Sequence, residues 1–347
     1  MGVASSHGIT WAKSKLSRKL QGYSFNSIKL RRKGSLRRYI QTLITFICIV
    51  NYFGCAGDKT PTDWGQIKSG TEAHLYGVHF VDAKRGWAVG TDGLVLFTED
   101  SGSTWQVRSP QKAITPNALN KVHFSTIHNG WAVSIRGQIH YTGSAGKSWT
   151  AQKSHTDSGL LDIYFIDEKE GWAVGGGGII LHTNNGGGSW TRQNSPPTPH
   201  LWAVHFADVK HGWAVGKEGN ILHTNDGGKF WYEQRSNTEE SLLGVYFVNS
   251  QTGWVVGTDG LILHTTDGGA NWESQKSATT KTLRGVAFRD SKQGWAVGED
   301  GLILYTSDAG ATWSPQASGS PEHLLDICLY KARVWIVGSK GTILRLG

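Results

Sequence analysis

Gly253-Trp-Val-Val-Gly-Thr-Asp-Gly-Leu-Ile-Leu-His-Thr-Thr-Asp-Gly-Gly-Ala-Asn-Trp272 is one copy of a unit repeated along most of this chain. Its opening Gly-Trp-x-Val-Gly run recurs, with variations, around Trp87, Trp131, Trp172, Trp213, Trp254, Trp295 and Trp335, in steps of 44, 41, 41, 41, 41 and 40 residues. Six of these seven tryptophans are followed 18 residues later by a second one. Ahead of each run lies an apolar stretch, at 75–80, 119–124, 160–165, 201–206, 242–247, 283–288 and 324–329. Each unit thus holds four short runs rich in β-branched and aromatic residues, punctuated by Gly, Asp, Asn and Ser and showing no helical period. Four strands in about 41 residues make one propeller blade. Seven units predict an all-β, seven-bladed β-propeller of four-stranded blades over residues 62–347.

The two ends of the array complement each other. The last unit stops at Gly347 without a fourth strand, and the first is preceded by Trp64-Gly-Gln-Ile-Lys68, similar to Trp149-Thr-Ala-Gln-Lys153. The strand around Trp64 is expected to pair with the C-terminal blade and close the ring, which removes the open edges of a linear stack. Fourteen of the 16 tryptophans then fall into two sevenfold rings, leaving Trp11 and Trp202 outside the pattern.

Between third and fourth strands the chain writes Thr98-Glu-Asp100-Ser-Gly102-Ser-Thr-Trp105, and similar turns carry Asp226, Asp267 and Asp308; Ser144 and Asn185 replace the acid in two copies. The spacing resembles the Asp-box. An Asp accepting turn N–H groups and a Gly at positive φ give these acids a structural role. On separate blades they stand too far apart to share a proton or a metal. His182, His223 and His264 occupy one third-strand position that elsewhere holds Phe97, Tyr141 and Tyr305, so they read as packing rings rather than a zinc set. His79, His123 and His205 alternate with Tyr164 and Tyr246 in the first strand and read the same way. No catalytic residue, metal site or cofactor is expected.

The formal net charge of +8 is concentrated at one end. Ten of the 35 basic residues lie in the first 40 positions, which hold no acid, leaving 25 basic against 27 acidic residues in the remainder. The propeller is therefore not basic, and no nucleic-acid partner is expected. Residues 1–38 read as a disordered or mis-started basic N-terminus. Residues 39–56 read as an export signal whose apolar core is too short for a comfortable membrane span. Cys55, in Gly54-Cys-Ala-Gly-Asp58, is the candidate lipidated residue of a lipoprotein signal. Cleavage after Ala56 and a retained anchor are the alternatives.

The residues quoted from 253 to 272, together with the regular array, resemble the photosystem II stability and assembly factor family. That resemblance covers residues 62–347. It implies a seven-bladed propeller exported to the thylakoid lumen, lipoprotein-like in cyanobacteria, that binds early reaction-centre assembly intermediates. The family's arginine-rich contact segment in later blades has no counterpart here, since no paired arginines follow Arg38. The expected function is a monomeric, membrane-anchored, non-catalytic scaffold in the cell envelope, binding a protein partner. A sialidase-like, carbohydrate-active or carbohydrate-binding propeller is the alternative.

Loops from fourth to first strands and from second to third strands should emerge on one side, opposite the Asp-box turns. Variable residues at the inner-strand entries of that side are the candidate partner-binding set: Tyr76, Asn120, Lys121, Asp162, Trp202, Arg284 and Asp326. A ring of outer-strand cations (Lys68, Arg108, Lys153, Arg235 and Lys276) reads as solvated rim charge. The proline-rich loop from Ser195 to His200 is expected to be stiff.

Overall fold

The computed structural model describes residues 63–108 and 115–347. The basic segment, the export signal and Cys55 lie outside the described residues. Seven antiparallel four-stranded sheets follow one another. We number the blades by their chain segments: blade 1 (75–107), blade 2 (119–152), blade 3 (160–192), blade 4 (201–234), blade 5 (242–275), blade 6 (283–316) and blade 7 (324–346 with 64–67). In blade 7 the strand Trp64–Ile67 pairs with Ile343–Leu346, Trp64 opposite Leu346 and Ile67 opposite Ile343. The expected closure is therefore present, and it makes the ring continuous through both ends of the propeller.

The core lies between blades, because each hydrophobic cluster draws side chains from two neighbouring sheets. Its repeating unit is a stack. Trp87 lies on Phe124 of the next blade with ring centroids 3.6 Å apart, and Trp254 on Phe288 at 3.5 Å. The indole N–H then donates into the next blade's Asp-box turn, Trp87 Nε1 to Ala145 O at 3.0 Å and Trp335 Nε1 to Ser101 O at 2.9 Å. Six blades repeat this arrangement. Trp295 does not. It faces blade 7, whose third and fourth strands come from opposite ends of the chain and so have no turn between them, and its indole N–H is buried without a partner. The second tryptophan ring meets the same phenylalanines edge-on, as in Phe247–Trp272 at 5.8 Å and 90°.

Trp64 also reproduces the outer-ring hydrogen bond. It donates to Gln316 Oε1 at 2.9 Å, just as Trp190 donates to Gln152 and Trp313 to Gln275, each at 3.1 Å. Trp64→Ala removes that bond and the packing of a large ring on the blade 6–7 core. We expect a loss of about 3 kcal/mol and a melting temperature lower by about 6–12 °C in a calorimetric scan. An unchanged melt would mean that the seam does not hold the ring.

Candidate functional site

Each inner strand breaks register once, near its start. Leu75 pairs with Gly90 and Gly77 with Val89, which leaves Tyr76 as a bulge. The same shift leaves Asn120, Leu161, Trp202, Leu243, Arg284 and Leu325 unpaired in the other blades. Bulges turn a side chain out of the ladder. Here all seven bulged residues line the central cavity, of about 400 Å³. Four of the seven sequence candidates (Tyr76, Asn120, Trp202 and Arg284) are bulge residues. The other three (Lys121, Asp162 and Asp326) sit one position further along the strand.

Side chains at that next position include the cavity's buried charges. Lys121 Nζ of blade 2 reaches Asp326 Oδ1 of blade 7 at 2.7 Å, passing over blade 1. Blade 1 carries only Gly77 at this level, and its strand packs closely on blade 2: a Cβ there would stand 3.0 Å from the Lys121 Cα and 3.2 Å from the Asn120 carbonyl oxygen. Asp326 Oδ2 accepts the Val78 N–H at 2.8 Å. Asp162 plays the equivalent part in blade 3, accepting the Val204 N–H at 2.9 Å and the Ile163 N–H at 2.8 Å. Burial pushes Asp162 up to about 6, against the pull of Lys121. Lys121 itself stays charged, because burial is outweighed by Asp326 and Asp162. Two of the candidate residues therefore serve the frame as well as lining the channel.

Two residues deeper runs an aromatic collar. His79 and His123 lie 4.2 Å apart by centroids, His123 and Tyr164 5.0 Å, Tyr164 and His205 5.0 Å, and His205 and Tyr246 4.8 Å. Ala287 and Cys328 complete the set. Burial, helped by the charge of Lys121, lowers His79 and His205 to about 3, so both rings are neutral. These histidines are packing groups, as expected, but they pack on the channel wall. His79 Nδ1 accepts the Phe124 N–H at 3.3 Å, and Cys328 Sγ accepts the Phe80 N–H at 3.3 Å. Sequence reasoning did not single this collar out as a wall of the site; its only signal was the His/Tyr alternation.

The bulged residues stand at the starts of the inner strands, next to the fourth-to-first loops. Second-to-third-strand turns bond there to the fourth-to-first loops, Gly341 N to Ala73 O at 2.7 Å and Gly219 N to Glu240 O at 2.9 Å. Trp202 is 36 % exposed and lies beside His200, the rings tilted at 34° with centroids 5.9 Å apart. Tyr76 stacks on His74 at 6.2 Å. Arg284 is held by Glu299 at 3.2 Å, and Asn120 donates to the Leu160 carbonyl at 2.7 Å. Of the outer-rim cations, Arg108 lies over the Phe97 ring at 3.8 Å.

The Asp-box turns do local work. Asp267 Oδ1 accepts the Thr265 hydroxyl at 2.8 Å and the Asn271 N–H at 2.9 Å. Hydrogen bonds from the Asn271 side chain, its backbone and Thr265 lower Asp267 to about 2. Asp100, Asp226 and Asp308 repeat the pattern. The two departures conserve it too, since Ser148 N donates to Ser144 Oγ at 3.0 Å and Ser189 N to Asn185 Oδ1 at 2.9 Å. Asp267→Ala is expected to cost about 1 kcal/mol in chemical unfolding. A loss above about 3 kcal/mol, or none, would contradict the local role. Third-strand histidines stack on the inner tryptophans, His223 on Trp213 at 4.9 Å and His264 on Trp254 at 4.8 Å, and Tyr305 packs on Trp295 at a tilt of 46° and 5.2 Å. Among the described residues, no group of three or more His, Cys, Asp or Glu is placed to hold a metal ion.

Comparison with known proteins gives this geometry a family. The model for the photosynthesis system II assembly factor YCF48 matches residues 57–153, 110–200, 193–281 and 270–346. Among curated relatives, the chloroplastic photosystem II stability/assembly factor HCF136 of Cyanidioschyzon merolae is 41% identical over 59 residues, 16% of this chain and 14% of that protein. The photosystem II assembly lipoprotein Ycf48 of Parasynechococcus marenigrum is 31% identical over 74 residues, 20% of this chain and 22% of that protein. The aligned stretches thus span under a quarter of these relatives. A solved structure of YCF48 bound to a D1 peptide has the same fold, with TM-score 0.72 and 22% identity over 83% of this chain and 97% of that one. The chain belongs to the photosynthesis system II assembly factor YCF48 family.

Proposed function

We propose that this chain is a non-catalytic assembly scaffold that holds a segment of a photosystem II apoprotein, of the D1 type, on its channel-mouth face. The observation that carries the reading is the family match, which runs through residues 57–346 and so takes in the whole propeller. The neighbour solved with a D1 peptide supplies the kind of partner. Within the face, Tyr76, Asn120, Lys121, Asp162, Trp202, Arg284 and Asp326 are the contact and positioning residues. They differ from blade to blade, whereas the tryptophan and Asp-box positions repeat and are spent on packing.

Residues 39–56 act as the export signal, and lipidation at Cys55 tethers the protein, as a monomer, to the lumenal or periplasmic side of a membrane. Relatives named as assembly lipoproteins support this placement. Cys55→Ala is the corresponding test: the protein should move from the membrane pellet to the soluble fraction, and retention in the pellet would contradict a lipid tether. For the scaffold itself, capture of D1 peptides by the purified protein is the direct assay. Turnover of a fluorogenic sialoside, lost on removing channel carboxylates, would overturn the non-catalytic reading.

A further inference from the structure

We infer that the channel beside Asp162 receives a single organic cation, the lysine or arginine side chain of the docked segment. The inference rests on the proposed docking face and names the chemistry that face recognises. Its first support is space. Going round the channel from Asp162 to Asp326, blades 4, 5 and 6 present only Ala203, Gly244 and Gly285 at the charged level. The other arc is filled by Lys121 crossing Gly77.

Charge and walls agree with this. The level holds two carboxylates against one ammonium. Asp326 is satisfied by Lys121 and the Val78 N–H. Asp162, 7 % exposed, meets only the N–H groups of Val204 and Ile163, with no cation in contact among the described residues. Below the vacant arc stand His205, Tyr246 and Ala287, and above it Trp202, Leu243 and Arg284, whose guanidinium is already paired with Glu299 at 3.2 Å. Neutral aromatic faces attract a cation that has shed its water. His205 Nδ1 is buried there without a hydrogen-bond partner. An anion would meet a lysine and an arginine already committed to Asp326 and Glu299, and two carboxylates that repel it.

The test uses N-acetylated, C-amidated pentapeptides Gly-Leu-X-Leu-Gly, with X arginine, lysine, citrulline or glutamate, titrated calorimetrically into the full chain. The arginine and lysine peptides should bind at least tenfold tighter than the citrulline peptide, and Asp162→Asn should erase that preference. Equal binding of arginine and citrulline, a preference for glutamate, or no binding by any of the four would overturn the inference. The peptide comparison is made on the unaltered protein, so it stands even if Asp162→Asn fails to fold. A D1 peptide that is captured equally well by Asp162→Asn overturns the cation site and leaves the scaffold reading standing. D1 peptides that the unaltered protein never captures count against the scaffold instead.

Discussion

Replacing Asp326 with alanine destabilises the propeller by about 3–5 kcal/mol. The substitution strands a buried ammonium, and breaking one side of a buried pair costs far more than the pair is worth. Lys121 Nζ stands 2.7 Å from Asp326 Oδ1, with a side chain only 28 % exposed, and its charged form is favoured by Asp326. Alanine also withdraws the acceptor of the Val78 N–H. Two companion variants locate the effect. Asp326→Asn keeps an acceptor for Val78 and should lose less. Lys121→Met with Asp326→Leu removes both charges together and should recover most of the loss, because an apolar pair of similar volume is often neutral. Urea unfolding of the four proteins gives the comparison. A double variant as unstable as Asp326→Ala would show that the contribution comes from the Val78 bond rather than from the charge pair.

Acid should unfold this protein through its histidines. His79 and His205 are lowered to about 3, and His140 and His223 to about 4, in every case chiefly by burial. In the unfolded chain each titrates near 6.5. Between these values the unfolded state binds more protons, so the stability they contribute is complete above pH 6.5 and falls as pH drops towards 4 and 3. Each histidine removes at most about 1.4 kcal/mol per pH unit, so the four together remove at most about 5.6 kcal/mol per unit, against a total of about 5–15 kcal/mol for a folded domain. Asp162 works the other way. Its folded value of about 6 lies above the unfolded one, so protonation below pH 6 returns part of the loss. The melting temperature should fall by more than about 10 °C between pH 6.5 and 5. His223→Tyr, which installs the residue that blade 6 carries as Tyr305, should flatten the slope by about one histidine's share. A melt that stays level down to pH 5 contradicts this account of the buried rings.

The architecture was legible because it is periodic. Spacing alone located the inner tryptophans, and the resemblance of residues 64–68 to 149–153 located the closing strand that pairs with Ile343–Leu346. Turn chemistry was legible for the same reason: Ser144 and Asn185 accept the N–H groups that Asp accepts elsewhere. The channel was legible only as a list of irregular residues. Nothing local says that Tyr76, Trp202 and Arg284 stand on bulges, since a register shift depends on the partner strand. Nor does the sequence show that Lys121 passes over Gly77 to a residue 205 positions away. Asp162 and Asp326 stood out as variable, but their role as acceptors for the next blade's N–H groups depends on how the ring closes.

The measurement that bears most directly on the whole account is titration of purified protein with overlapping D1 peptides, repeated on two altered faces. Trp202→Ala with Arg284→Ala changes the channel mouth, and Asp226→Asn with Phe230→Ser changes the opposite, Asp-box face. At least one peptide should bind the unaltered protein, bind the mouth variant at least tenfold more weakly, and bind the Asp-box variant unchanged. Loss of binding confined to the Asp-box variant, or no D1 peptide bound by the unaltered protein, would contradict the account.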